Sequence, residues 1–177
     1  MFERYLEPAR RAIFFARYVA LMNEAAAIDS GHLLCGLIWE ETYRAVVLFG
    51  LREIFPLYRE CPHKVANYSL VKSLNIPLTA AGKRILAKAA GKADAMQDYW
   101  IDTEHLLLGI VAEQACPAAQ HLAKARIHLQ NAREVIKNNH ASRPKYPDYY
   151  DPEVKPGETP SLLDRMISQW RKWKFGR

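Results

Sequence analysis

The chain has 177 residues, 50% hydrophobic and 25% charged, with a net charge of +6; this balance excludes a disordered or fibrous chain and fits a soluble globular domain with an appendage. Three irregularly placed cysteines, Cys35, Cys61 and Cys116, argue against a disulfide framework, and no apolar run approaches the roughly 20 residues of a membrane span. The N-terminus MFERYLEPARR is charged from its third residue, so no leader is expected, and a cytoplasmic location follows.

The first predicted element is a helix in PARRAIFFARYVALMNEAA. Ala12, Ile13, Ala16, Val19, Ala20 and Met22 share one stripe at helical spacing, and the fixed φ of Pro8 suits a first turn. The phrase IDSGHLLCG, residues 28–36, follows and opens a second helix. Shorter helices are predicted at about 43–49 and 52–60. The linker CPHKVANYSLVKSLNIPL then leads on. In it Cys61 and His63 resemble a ligand pair, but two further ligands at zinc-like spacing are absent, so no metal and no cofactor are expected.

From Thr79 the pattern begins again. Thr79 stands where a helix N-cap belongs, ahead of AAGKRILAKAAGKADAM with Ile85, Leu86, Ala89 and Ala93 on one stripe. The phrase IDTEHLLLG, residues 101–109, repeats the earlier one; Asp102 or Thr103 can cap its helix, whose buried face carries Leu106, Leu107, Ile110 and Val111. Helices at about 117–124 and 128–138 complete the copy. Sliding the chain by 73 residues lays positions 5–38 on 78–111 with nine identities, among them Arg11/Arg84, Ala16/Ala89, His32/His105 and Gly36/Gly109. Beyond Gly36 the register is expected to slip. The fold class is therefore all-α: a tandem repeat of two four-helix units with pseudo-twofold symmetry, eight helices and no sheet. Residues 1–140 form the double domain, with repeat one at about 1–62 and repeat two at about 77–138. The small residues on both first-helix stripes imply close packing.

Residues 141–160 change character. Prolines at 144, 147, 152, 156 and 160, with tyrosines between them, forbid helix and favour an extended tether. Residues 161–177, SLLDRMISQWRKWKFGR, recover helical spacing, with Leu162, Leu163, Met166, Ile167, Trp170 and Trp173 on one side. They hold five Lys/Arg against one Asp/Glu. Three readings stand for this helix: docking on its own domain, binding a partner protein through Met166, Ile167, Trp170 and Trp173, or lying on a membrane surface. Five cations are too small a field for nucleic acid, so no nucleic-acid partner is expected.

FERYLEPARRAIFFARYVA followed by IDSGHLLCGL, and LTAAGKRILAKAA followed by IDTEHLLLGI, resemble the two halves of the Clp N-terminal (Clp repeat) domain, most closely its ClpC type, over about residues 1–138. The resemblance implies a pseudo-twofold pair of four-helix units that receives substrates and adaptors at the front of Clp ATPases. No GxxxxGK[ST] phosphate loop is present, so a free-standing N-domain protein that is not an unfoldase is expected. Its partners would be a Clp ATPase, an adaptor or a tagged substrate.

His32, His105, Asp102 and Glu104 can in principle supply acid and base, but no nucleophile accompanies them, and a histidine in a first helical turn also serves as a hydrogen-bonding scaffold. No catalytic residue is assigned. A carboxylate at a helix start can hold a guanidinium, and the free amides and a hydroxyl there suit a phosphate; equally, a Glu in a first turn is stabilised by the helix dipole alone. The resemblance implies phosphoarginine as the ligand, with the glutamate of the TEH phrase on the guanidinium and the threonine ahead of the same repeat's first helix near the phosphate. Carried onto this chain, the site residues are Glu104, Thr103 and Thr79. Copy one has Gly31 and Leu6 at the matching positions, so at most one such site is expected, in the second copy.

Overall fold

The computed structural model describes residues 3–40, 49 and 76–139, all within the compact unit Met1–Ala141. Among these residues six helices form: α1 (Glu7–Met22), α2 (Ser30–Glu40), α3 (Ala80–Ala95), α4 (Thr103–Ala112), α5 (Pro117–Lys124) and α6 (Leu129–Asn139). Apart from Phe49, the helices expected at 43–49 and 52–60 lie outside the described residues. So do the tether and the C-terminal helix with Met166, Ile167, Trp170 and Trp173.

Each copy is built on one tight helix pair, α1 against α2 and α3 against α4. The shared glycines are the reason for the close approach. A Cβ on Gly36 would stand 2.2 Å from the Ala12 carbonyl oxygen and 2.6 Å from the Ala16 nitrogen; one on Gly109 would stand 2.6 Å from the Ile85 oxygen and 3.0 Å from the Ala89 nitrogen. Positions 12 and 16 match 85 and 89 under the 73-residue shift, so the same backbone-to-backbone contact is made twice.

The helix ends repeat as well. Glu24 and Gln97, matching positions, both take positive φ (54° and 61°) just past the ends of α1 and α3. The next residue then reaches back, Ala25 N–H to Ala20 O and Asp98 N–H to Ala93 O, each at 2.9 Å. This is the 6→1 bond that closes a Schellman terminus, made here without glycine.

Past Gly36 the repeat register holds as far as Glu40, and the slip expected by Gly50 lies outside the described residues. Glu40 and Glu113 still match, and they accept from the matching Arg11 and Arg84: Arg11 Nε lies 3.0 Å from Glu40 Oε1, and Arg84 Nε lies 3.0 Å from Glu113 Oε1. Each arginine thus ties the first helix of its copy to the end of the second.

α4 is the centre of the molecule. It touches α1, α2, α3, α5 and α6, and every residue from Thr103 to Val111 is buried, not only the four-residue face the spacing predicted. A helix apolar nearly all round belongs in a core, and Leu108 and Ile110 are at most 1% exposed.

No strand forms among the described residues, as expected, but two isolated parallel β-bridges join the copies, Tyr5 to Ile101 and Ile28 to Leu78. They exchange under the 73-residue shift. Leu6 N–H bonds Ile101 O (3.0 Å) and Ile101 N–H bonds Arg4 O (2.7 Å); Thr79 N–H bonds Ile28 O (3.0 Å) and Ile28 N–H bonds Pro77 O (2.8 Å). The segment before the first helix of each copy is therefore hydrogen-bonded to the segment before the second helix of the other.

Candidate functional site

The crossed pairing brings the starts of the four helices together two by two. α4 begins at Asp102, whose carboxylate accepts from Thr103 N–H at 2.7 Å, while Asp102 N–H donates to His105 Nδ1 at 2.9 Å. This is a capping box with histidine in the place usually held by Glu or Gln. Copy one repeats it: Asp29 N–H donates to His32 Nδ1 at 3.1 Å, and His32 N–H to Asp29 Oδ1 at 3.0 Å. A Nδ1 that accepts carries no proton, so the neutral His105 ring holds its hydrogen on Nε2, which points at Asp98 Oδ2, 3.1 Å away. His105 is wholly buried. Both histidines are thus engaged as helix caps, which favours the scaffold role over acid–base chemistry.

Glu104 sits in the first turn of α4, 6% exposed, next to the buried Thr103. Glu104 is not without an interaction partner. Thr103 Oγ1 donates to Asp102 Oδ1 at 3.2 Å. Thr79 caps α3, its hydroxyl accepting from Gly82 N–H at 3.1 Å, which leaves the hydroxyl hydrogen able to donate.

The crossed pairing decides which of these residues face a common start. Thr79 is bonded to Ile28, in the segment that leads to Gly31, whereas the segment that leads to Glu104 is bonded to Leu6. Thr79 and Glu104 therefore belong to different pairs of helix starts, each pair joining the two copies. The pair that carries the hydroxyl carries Gly31 in place of a carboxylate. The pair that carries Glu104 has Leu6, which makes no side-chain cap, followed by Glu7 and by Pro8 without an N–H. An acidic residue and a missing amide are both unfavourable to a phosphate.

Charge on the flanking helix is set by the two matching ion pairs, and they titrate in opposite senses. The Glu113 carboxyl is held below its ordinary value, first by the hydrogen bond from Arg84, then by that from Lys88, whose Nζ is 2.7 Å from Oε2. Glu40 is pushed above its ordinary value because burial outweighs the guanidinium of Arg11, with Glu7 and Asp102 adding repulsion.

Tyr99 and Trp100 were missed by the sequence reading. They are the exposed large hydrophobics among the described residues, at 67% and 46%, with rings perpendicular and centroids 4.9 Å apart. Arg4 holds Tyr99: its Nε donates to Tyr99 O at 3.0 Å, its guanidinium lies 5.5 Å from the Tyr99 ring centroid, and its Nη2 meets Asp94 Oδ1 at 2.6 Å. The signal was present in the repeat, where Ala26 and Ala27 occupy the matching positions.

Among the described residues no helix is long and apolar enough to cross a membrane.

A family model described as the Clp repeat (R) N-terminal domain matches residues 4–125 and 77–159. The ATP-dependent Clp protease ATP-binding subunit ClpA homolog of Porphyra purpurea is 31% identical over 140 residues, covering 77% of this chain and 17% of that protein. The corresponding subunit ClpC of Staphylococcus epidermidis is 27% identical over 139 residues with the same shares, and the chaperone protein ClpB of Oceanobacillus iheyensis is 26% identical over 137. The chain thus spans 17% of the length of these relatives, whose names are divided among ClpA, ClpB and ClpC. Of solved structures, the N-terminal domain of ClpD from Arabidopsis thaliana is similar with a TM-score of 0.58 at 24% identity, covering 77% of this chain and 97% of that one. The Hsp104 N-terminal domain from Candida albicans follows with 0.56 at 16%, covering 77% and 92%. At these identities the likeness is one of fold.

Proposed function

The chain belongs to the Clp repeat (R) N-terminal domain family, and on that premise we propose that it is a non-catalytic protein-binding module of the Clp protease and chaperone system, receiving substrates, adaptors or the unfoldase itself in the cytoplasm. The observation that carries this reading is that the family match spans both copies, in which the paired glycines, capping boxes and Arg–Glu ties are kept. Co-purification of the full chain with a Clp ATPase tests it; no association with the ATPase, its adaptors or its substrates would remove it.

Within that reading the finer proposal is one phosphoarginine-type site, ClpC-like in character, with Glu104 as the guanidinium acceptor, Thr103 beside it and Thr79 as the hydroxyl-bearing helix cap. What supports it is the carboxylate of Glu104 in the first turn of α4. The crossed pairing weakens its phosphate half, because the start bonded to that of Glu104 offers Leu6, Glu7 and Pro8. Titration of phosphoarginine and of arginine into the parent, Glu104→Ala and Thr79→Ala proteins separates the parts. Binding unchanged by Glu104→Ala removes the site; loss with Glu104→Ala and none with Thr79→Ala leaves a guanidinium site alone.

A second reading is favoured by the spacing of Met166, Ile167, Trp170 and Trp173: an interaction or anchoring protein that works through residues 161–177 on a protein or membrane surface. Binding to a partner or to vesicles that vanishes on deletion of residues 141–177 supports it over the first.

A further inference from the structure

Arg4, Arg11 and Arg84 are each matched to a carboxylate. Arg10 and Arg17 are not: the Nε of each is buried without a hydrogen-bond partner, and among the described residues no carboxylate pairs with either. Arg10 makes one long contact, from Nη2 to the Glu3 carbonyl at 3.4 Å.

A buried N–H left without an acceptor costs free energy that is recovered when the half-buried guanidinium turns outward to an incoming carboxylate, and the side-on edge of guanidinium, Nε with Nη, is the edge that takes a carboxylate in a two-bonded fork. Arg10 and Arg17 are seven residues apart on α1 and so lie on one face, about 10.5 Å apart along the axis. Half-buried Phe14 lies between them on the same face. The surface continues past Arg10: Glu3, which Arg10 contacts, adjoins Arg4, and Arg4 holds the exposed Tyr99, whose ring meets that of Trp100. Trp, Tyr and Arg are the residue types that dominate binding energy at protein interfaces. Because Arg4 already holds Tyr99, less ordering entropy is left to lose there on binding.

We propose that this surface, Arg10, Phe14 and Arg17 on α1 with Arg4, Tyr99 and Trp100 beside it, docks an acidic segment of a partner protein bearing carboxylates about one double helical turn apart and an apolar anchor. The proposal deepens the protein-binding reading above and rests on it. Charge complementarity selects the occupant: two guanidinium groups lacking carboxylates flank an apolar side chain. A nucleic acid fits less well, since two cations are too few to release many counterions.

The test uses the full chain and fluorescence anisotropy with three probes: a helical peptide carrying two glutamates seven residues apart around a leucine, the same peptide with lysines for glutamates, and single-stranded oligouridylate. The parent protein should bind the glutamate peptide, more weakly as salt rises, and at least about tenfold tighter than the lysine peptide. Arg10→Gln/Arg17→Gln should lose about tenfold or more for the glutamate peptide, Tyr99→Ser/Trp100→Ser should weaken it with salt dependence retained, and Arg10→Glu/Arg17→Glu should prefer the lysine peptide. Equal binding of the two peptides by the parent protein, a comparison that needs no variant to fold, overturns the proposal. So does unchanged affinity in a folded Arg10→Gln/Arg17→Gln protein, or oligouridylate displacing the glutamate peptide. Failure here with Clp ATPase capture intact removes this surface alone; peptide binding without any Clp association removes the Clp reading and leaves the surface.

Discussion

The matching ion pairs show how two identical residue choices acquire different roles from their surroundings. Glu113, with both Arg84 and Lys88 beside it, has a folded pKa below its unfolded one. Its contribution is therefore present above the ordinary carboxylate value and is lost as pH falls through the lowered folded value. Glu40 is raised by burial, so the opposite holds: stability is greatest below the ordinary value and declines as pH rises through the raised one. Denaturant titrations at about pH 3.5 and pH 7 should show Glu113→Gln less stable than the parent at the higher pH, with the gap closing at the lower. Glu40→Gln should gain on the parent between the lower and the higher pH. A Glu113→Gln deficit equal at both values would contradict the assignment. The histidines repeated in the two copies make a residue-scale prediction too. His105→Ala strips the acceptor from the buried Asp102 N–H and should cost about 1–3 kcal/mol, read from the same titrations.

At the scale of elements, helix starts and ends were legible in the residues, and interhelix geometry only partly so. Pro8, Thr79 and Asp102 marked the three starts that the structure confirms, and α5 and α6 fall within a residue of expectation. The small-residue stripes signalled close packing, and Gly36 and Gly109 show its cause. Gly109→Ala should cost about 3 kcal/mol, since its Cβ would press on α3 backbone rather than on a side chain that can move. Gly91 in the same α3 is the control: nothing lies within 4 Å of its Cβ position, so Gly91→Ala should stabilise by about 0.8 kcal/mol through helix propensity. Thermal melts that rank these two the other way would overturn the account of the paired glycines. The crossed pairing was not legible, because hydrogen bonds between Tyr5 and Ile101 or Ile28 and Leu78 leave no local pattern. A repeat announces that two units are alike, but not which end of one meets which end of the other. The Arg11–Glu40 and Arg84–Glu113 ties were legible in principle. Following the 73-residue shift four positions further would have found both glutamates.

For the whole molecule, the repeat in sequence became an exchange in space: each copy lends the other a backbone segment, so neither α1–α2 nor α3–α4 is an independent site. This is why a comparison of Glu104 with Gly31, made copy by copy, changes meaning in three dimensions. The Glu104 residue and the capping hydroxyl of Thr79 stand in different pairs of starts, and the start paired with that of Glu104 offers a phosphate little. The central claim is that residues 1–141 receive Clp-system proteins. The direct measurement is the affinity of a purified Clp ATPase, alone and loaded with adaptor or substrate, for the full chain and for residues 1–141, with circular dichroism confirming that both fold. Equal affinities are predicted; binding by the full chain that disappears in residues 1–141 would contradict the claim and move the function to the C-terminal segment.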